Sequence, residues 1–594
     1  MLTGKYINKY YLKYALFFII GIIALVLVDY YQLKLPEYLG NIVTSIENNE
    51  KINIPSFVWD LVVIALVLCI GRITWRLTLI TTSKRIEANI RREMFEKSER
   101  LSQKYYHENK VGTIMAWFTN DLETIEEYFG WGTIMLVDAV FMSLLVIFKM
   151  VRIDWALSLL TAIPILLIII WGALVEKFMA MKWDNRQKAF DSLYDFTQET
   201  FTGIRVIKAF VKENQEIKAF SKIAKKNKDT NIDFVKTSVL FDVFIEVICS
   251  LVIALLLGIG GYFVYSMTTG NPVVLFGHKI EMTAGLLVEF VLYFENLIWP
   301  LIALGQIVSM RSRAKASLKR ITNYLDQEED IINPENGHVL ENVSGKITFS
   351  NFSFAYPKAK THSLNDISFE IKPGELVGIV GKIGSGKTTL VNSLLRLYNV
   401  EENSIFIDGY DIMKCDIQSV RNAISYVPQD NFLFSDKVRN NIAFSNLSLP
   451  YDKIEMAAKF ANVHENIIEF KDGYDTISGE RGVTLSGGQK QRVSIARAYV
   501  KDTPIMIMDD SVSAVDVKTE ETILKNIREQ RAGKTTLVIA SRVSTVMHMD
   551  KIIVLNDGNL EAFDSHENLL KISPTYAKMV FLQELEREVE GGAL

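Results

Sequence analysis

The sequence predicts a multidomain membrane protein in two parts: an all-α domain of six transmembrane helices, then an α/β domain built around a phosphate-binding loop. Three observations carry this. Apolar stretches lie at 14–35, 57–80, 131–151, 155–175, 240–265 and 286–307, each near the ~20 residues that a spanning helix needs. The 594-residue chain is unusually apolar, with 49% hydrophobic residues and a mean hydropathy of +0.16, and that apolarity is concentrated before residue 310. A glycine-rich loop then follows the apolar run Leu376 to Val380 and precedes a helical stretch beginning near Thr389.

Six spans place both ends of the membrane domain on one side. The segment 81–130 carries Lys84, Arg85, Arg91, Arg92, Lys97 and Arg100, and 176–239 is richer still, with Lys208, Lys212, Lys218, Lys225, Lys226 and Lys228. These loops are expected on the cytoplasmic side and to extend the spans as helices, whereas 37–54 and 267–283 are short or carry few basic residues. The first stretch follows Lys5, Lys9 and Lys13 but is too long for a signal-peptide core and lacks a small-residue cleavage site, so it is read as the first span. Asp29, Asp138, Asp242, Glu246, Glu289 and Glu295 fall within or beside the spans. Ionisable groups at that depth are candidates to line a cavity and attract cationic amphiphiles. Phe290, Tyr293, Phe294 and Trp299 supply aromatic faces for cargo or for interhelical packing.

Basic residues Arg311, Arg313, Lys315, Lys319 and Arg320, followed by an acidic, Asn-rich stretch, mark a linker. The expected domains are 1–310 in the membrane, a linker at 311–345, and a soluble domain at 346–594. In the last, Gly381-Lys382-Ile383-Gly384-Ser385-Gly386-Lys387-Thr388 is a P-loop in the strand-to-helix context that its chemistry requires. Glycines let backbone N–H groups close around phosphate oxygens and the helix N-terminus adds positive potential. Lys387 reaches the β- and γ-phosphates of ATP, and the Thr388 hydroxyl reaches Mg²⁺. Gly381, Gly384, Ser385, Gly386, Lys387, Thr388 and Thr389 are therefore nucleotide-binding candidates.

Other chemistries are disfavoured. Three cysteines, Cys69, Cys249 and Cys415, do not make a disulfide framework, and seven histidines show no ligand spacing. A net charge of −4 argues against nucleic-acid binding.

Downstream, Leu485-Ser486-Gly487-Gly488-Gln489 precedes Lys490-Gln491-Arg492 and an Ala-rich helical pattern. This run resembles the signature sequence of ATP-binding cassette (ABC) proteins. The resemblance implies that the signature clamps an ATP held by the P-loop of a second cassette, so the chain works within a dimer. It also places Tyr356 against adenine, Gln429 at Mg²⁺ as the Q-loop glutamine, and Asp509 as the Mg²⁺-side carboxylate ending the apolar run Ile505 to Met508. Thr388, Gln429 and Asp509 are thus the implied Mg²⁺ ligands. Ser513-Ala514-Val515-Asp516 resembles the D-loop, and Glu480 matches a loop that exporters set against the membrane-domain coupling helices. Segments 111–124 and 201–213 resemble those coupling helices. The resemblance covers almost the whole chain and is most specific in the cassette.

Two positions depart from the family. The general base that follows Walker B is Glu in the family and Asp510 here. Its carboxylate sits on the order of 1 Å short, a misplacement able to cost about a hundredfold. The switch histidine falls at Ser541, too short to take over an imidazole's reach, and His548 lies outside the motif. With P-loop and signature intact, the chain resembles the degenerate-site half of a bacterial heterodimeric multidrug exporter. The resemblance implies a partner half-transporter carrying the intact Glu and His, and a multi-pass location in the cytoplasmic membrane with cassette and termini inside. Rival readings are a homodimeric exporter turning over slowly on Asp510 and an ATP-binding membrane regulator without transport.

Overall fold

The computed structural model describes residues 3–591 apart from 49, 51, 52, 272, 276, 277 and 514. Contacts divide the chain into two units, Met1–Lys97 with Gly112–Asp326, and Ser98–Val111 with Gln327–Leu594.

The first unit is a bundle of long helices. Among the described residues, Ala15–Glu47, Ile54–Arg100, Val111–Ile153, Glu213–Thr268 and Ala284–Leu325 are long and apolar enough to cross a membrane. The sixth long helix, Trp155–Thr202, shows an apolar stretch Trp155–Leu167. The side chains at 168, 169, 172–174, 176 and 177, which fall in or beside the span expected at 155–175, lie outside the described set. Helix starts are capped where the chain turns: Asp154 accepts from Leu157 N–H at 2.8 Å and Thr283 from Leu286 N–H at 3.2 Å. Small residues bring backbones together, since a Cβ at Gly40 would lie 2.8 Å from the Gly285 carbonyl. Deeper contacts come from Phe290, Tyr293, Phe294 and Leu297 on Ala284–Leu325, packed against Met142, Val146 and Leu256. Leu66, Ile70, Leu144, Phe148 and Leu255 are exposed, an apolar coat suited to lipid.

The helix expected as the first coupling segment, 111–124, instead opens the long helix Val111–Ile153. Extended backbone at Ser102 and Asn109 breaks the chain earlier and isolates a short helix, Gln103–Glu108. Asp121, in the π-helical turn Trp117–Asp121, anchors the long helix by accepting from Arg320 Nε at 2.7 Å and Ser317 Oγ at 2.9 Å. The second turn contains the short helix Ile204–Ala209, inside the expected 201–213. It leaves Phe201, Val206, Phe210 and Val211 exposed, with Val211 held at φ 53°, a costly conformation for a β-branched residue. Residues 311–325, read above as the start of the linker, continue Ala284–Leu325.

The second unit is built on a ten-stranded sheet. Its parallel half runs in the order Ile424–Val427, Ile505–Asp509, Thr535–Ile539, Leu376–Gly381 and Lys551–Asn556. Beyond Asn559–Asp564, an antiparallel layer of Leu364–Ile371, Ile347–Phe354, Ile405–Ile407 and Tyr410–Asp411 completes it. The parallel strands are covered on both faces, which explains their unbroken apolar runs. Met506, Met508 and Val538 face a helical layer with Val493 and Ile523. Ile505, Ile507 and Leu537 face the other side, with Leu390 and Leu394 of the helix Lys387–Leu394.

Candidate functional site

Parallel register gathers the motifs. Ile539 pairs with both Asp509 and Ile379, and Met508 pairs with Val427, so four strands end along one edge. Ligands of open α/β sheets bind at such carboxyl edges. Here the edge brings together the loop from Gly381, the carboxylates of Asp509 and Asp510, Ser541, and the chain leading to Gln429.

The loop is shaped for close backbone approach. A Cβ at Gly381 would lie 2.2 Å from the Leu555 carbonyl oxygen, and Gly386 has φ 95° with Ser363 O 2.9 Å from where its Cβ would be. Ser385 is buried with its hydroxyl unpartnered. Such a group inside a cradle of N–H donors at a helix N-terminus fits an anionic oxygen. Lys387 Nζ arches back over the loop to the carbonyls of Gly381 and Lys382, at 2.8 and 2.9 Å. Burial lowers its pKa from the ordinary lysine value, against the pull of Asp510 and Asp509.

Asp509 ends its strand almost fully buried. Burial raises its carboxyl pKa, while a hydrogen bond from the Thr388 hydroxyl opposes the rise. Two hard oxygen donors, Thr388 and Asp509, thus stand beside the phosphate cradle, a set suited to Mg²⁺, which takes one or two protein oxygens and completes its shell with phosphate and water. Gln429, the third implied ligand, is exposed beyond strand Ile424–Val427, its carbonyl 3.4 Å from Asn431 Nδ2. Tyr426, which the sequence reading overlooked, places its hydroxyl 3.5 Å from Asp509 Oδ2. Its only sequence signal is a polar-tipped aromatic two residues before Pro428.

The two departing residues meet. Ser541 Oγ donates to Asp510 Oδ1 at 3.4 Å, the outer edge of hydrogen-bond reach. Asp510 has φ 47° and is held from three sides: its N–H donates to Ile539 O at 3.0 Å, and its carbonyl accepts from Gln491 Nε2 at 3.2 Å and Ser513 Oγ at 2.8 Å. Left-handed backbone at a non-glycine residue is strain that surrounding bonds must maintain. His548 stays apart, its carbonyl accepting from Arg528 Nη2 at 3.3 Å.

Tyr356 is fixed by its hydroxyl to Thr389 Oγ1 at 3.0 Å, and its ring meets Tyr398 edge-on at 5.4 Å. A link that local sequence did not suggest continues from there. Tyr398 OH lies 2.9 Å from His107 Nδ1, on the short helix Gln103–Glu108, and Lys358 pairs with Glu108 at 2.9 Å.

The signature occupies a different place, the start of helix Gly487–Val500. Ser486 and Gln489 form a reciprocal capping box: Ser486 Oγ accepts from Gln489 N–H at 3.3 Å and Gln489 Oε1 from Ser486 N–H at 2.9 Å. Leu485 is buried in the core, while Ser486 and Gly487 are exposed and Gly488 and Gln489 half-buried. Glu480 is exposed nearby in the chain. Asp516 caps helix Val517–Gln530 by accepting from Thr519 N–H at 3.0 Å, Ser513 is exposed, and Ala514 lies outside the described residues.

Comparison with known proteins agrees with this architecture. Residues 17–301 match the family model of the ABC transporter transmembrane region and residues 364–513 that of the ABC transporter. The chain is 32% identical to the probable multidrug resistance ABC transporter ATP-binding/permease protein YheI of Bacillus subtilis (strain 168), over 99% of this chain and 98% of that protein. It is 33% identical to the multidrug resistance-like ATP-binding protein MdlA of Escherichia coli (strain K12), over 96% and 95% of the two chains. The solved structure of a bacterial Atm1-family ABC exporter with ATP bound superposes with a TM-score of 0.78 at 25% identity, covering 95% of this chain and 99% of that one. A membrane domain fused to a cassette, matched end to end by such relatives, places this chain in the ABC transporter family as a half-transporter: a multi-pass membrane ATPase that drives export.

Proposed function

We propose that the chain is the degenerate-site half of a heterodimeric exporter of small amphiphilic or drug-like molecules across the cytoplasmic membrane. The observation that carries this is the Ser541–Asp510 contact. The carboxylate that must hold a water is one methylene short, and the residue facing it is a hydroxyl that bonds it. Asp510 is thereby turned to its neighbour at the position where the family has a base.

The rest of the edge retains what binding requires. Gly381, Gly384, Ser385, Gly386, Lys387, Thr388 and Thr389 would hold the phosphates of ATP, Tyr356 would take the adenine, and Thr388 and Asp509 would hold Mg²⁺, with Gln429 as the third ligand that the family resemblance implies. When bound, Mg²⁺ neutralises charge on the phosphates. Leu485, Ser486, Gly487, Gly488 and Gln489, with the D-loop residues Ser513 and Asp516, serve the site of a partner half-transporter that carries the intact Glu and His. Closure of the two cassettes is transmitted through the turn helices, and hydrolysis in the partner-rich site resets the cycle. The multidrug names of YheI and MdlA support the cargo class. Asp29, Glu289 and Asp138 lie within the spans, where ionisable groups are candidates to meet cationic cargo.

The test is Mg·ATPase activity of the chain alone and co-purified with a half-transporter encoded beside it. An inactive lone chain and an active pair that dies when the partner's Walker B Glu becomes Gln uphold the reading. Robust turnover by the lone chain, abolished by Asp510→Asn, would mean a homodimer and refute it.

A further inference from the structure

The loop bearing Ser541 is held by a residue 42 positions further along the chain. Gln583, on the C-terminal helix Pro574–Gly591, accepts from Val543 N–H at 2.8 Å and donates from Nε2 to the Ser541 carbonyl at 3.4 Å. The amide thus spans Arg542 and grips both neighbours. Val543 opens a four-residue helix, Val543–Val546, whose cap residue Arg542 makes no side-chain capping bond. The first N–H groups of a helix have no intrahelical partner, so Gln583 supplies from another helix the cap that the local sequence omits.

Its placement on the helix is purposeful. Tyr576 is fully buried with its hydroxyl 2.7 Å from His566 Nδ1, and Met579 and Val580 pack against the core. Positions 576, 579, 580 and 583 recur at the spacing of one helix face. Gln583 is therefore the polar member of an inward stripe whose apolar members dock the helix. The far end of the short helix is tied independently, by the hydroxyl of Thr545 to Glu520 on Val517–Gln530.

We propose that Gln583 is a positioning residue of this chain's nucleotide site: through the Ser541 loop it holds the Ser541–Asp510 pair closed, and the C-terminal helix thereby sets how long nucleotide is retained. This rests on the reading that Ser541 and Asp510 face bound nucleotide. A histidine reaches far from its backbone, whereas a serine contacts Asp510 only if the loop itself is fixed. The departure at Ser541 makes the external clamp matter.

The probe is Mg·mant-ATP, chased with excess ATP from the full-length chain in lipid nanodiscs, with Lys387→Ala as the control that removes binding. Gln583→Ala is expected to speed release about fivefold to tenfold, the scale of one or two lost hydrogen bonds. The near-isosteric Gln583→Glu keeps acceptance from Val543 N–H, loses donation to Ser541, and falls between. In a Ser541→Ala background, Gln583→Ala should add nothing, because a residue acting through another is non-additive with it. A merely structural role would give multiplying effects and overturns the proposal. Release unchanged by Gln583→Ala and Gln583→Glu but accelerated by Ser541→Ala overturns the clamp and leaves the site reading intact. Release indifferent to all of these substitutions overturns both.

Discussion

The cassette presents two contrasting ends. The carboxyl edge of the parallel strands is internally bonded: Lys387 rests on loop carbonyls and Ser541 on Asp510. The signature is closed by its own capping box and leaves Ser486 and Gly487 exposed. The departures from the family fall at the carboxyl edge and none in the signature. The proposed unequal pair assigns retention of nucleotide to this edge and service to the partner's site to the signature.

The largest test of this contrast sets signature against edge. In the assembled pair, Ser486→Arg with Gly488→Asp should cut ATP turnover about a hundredfold or more, the scale of losing a preorganised electrostatic donor, while Asp510→Asn changes it less than about twofold. The reverse ranking breaks the comparison. Next, Asp510→Glu with Ser541→His should raise hydrolysis at this chain's own site. The gain should approach about a hundredfold only when both are present, because lengthening the carboxylate corrects the ~1 Å misplacement but leaves the switch position unfilled. Single-turnover hydrolysis with the partner's Glu disabled measures it.

A smaller effect is expected on the adenine side. Tyr398→Phe deletes only the hydroxyl facing His107, and should reduce cargo-stimulated ATPase about fivefold, equivalent to ~1 kcal/mol for one hydrogen bond, with basal activity retained. An unchanged stimulation would remove the short helix Gln103–Glu108 from the coupling route. The smallest effect concerns pH. Because burial raises the Asp509 carboxyl, the folded state holds its proton more tightly than the unfolded chain. Its contribution to stability is full below the unfolded value of about 3.9 and is lost as pH rises through the elevated folded value. Without nucleotide or Mg²⁺, the melting temperature of Asp509→Asn should therefore gain on that of the wild type as pH climbs from 4 to 7.

Some of this was legible without coordinates. The P-loop, Walker B and signature each depend on a few adjacent residues whose backbone and side-chain chemistry is local, so their motifs survive reading in one dimension. The departures at Asp510 and Ser541 were visible for the same reason. The break before Val111 rests on extended backbone at Ser102 and Asn109, polar turn-forming residues too common elsewhere to mark a boundary by themselves. Nothing local marks His107, Tyr398 or Gln583, each of which acts on a segment far away in sequence.

The sequence alone determined where the apolar stretches and the phosphate-binding loop lie and which residues make up each motif, because hydropathy over about 20 residues and short phosphate-binding patterns are local properties. Only the tertiary structure decided that Ser541 faces Asp510, that Tyr426 shares Asp509, and that a glutamine near the C-terminus caps the switch loop. Those facts follow from parallel strands ending on a common edge and from one helix docking its apolar stripe beside that edge, and such juxtapositions are set by packing between distant segments.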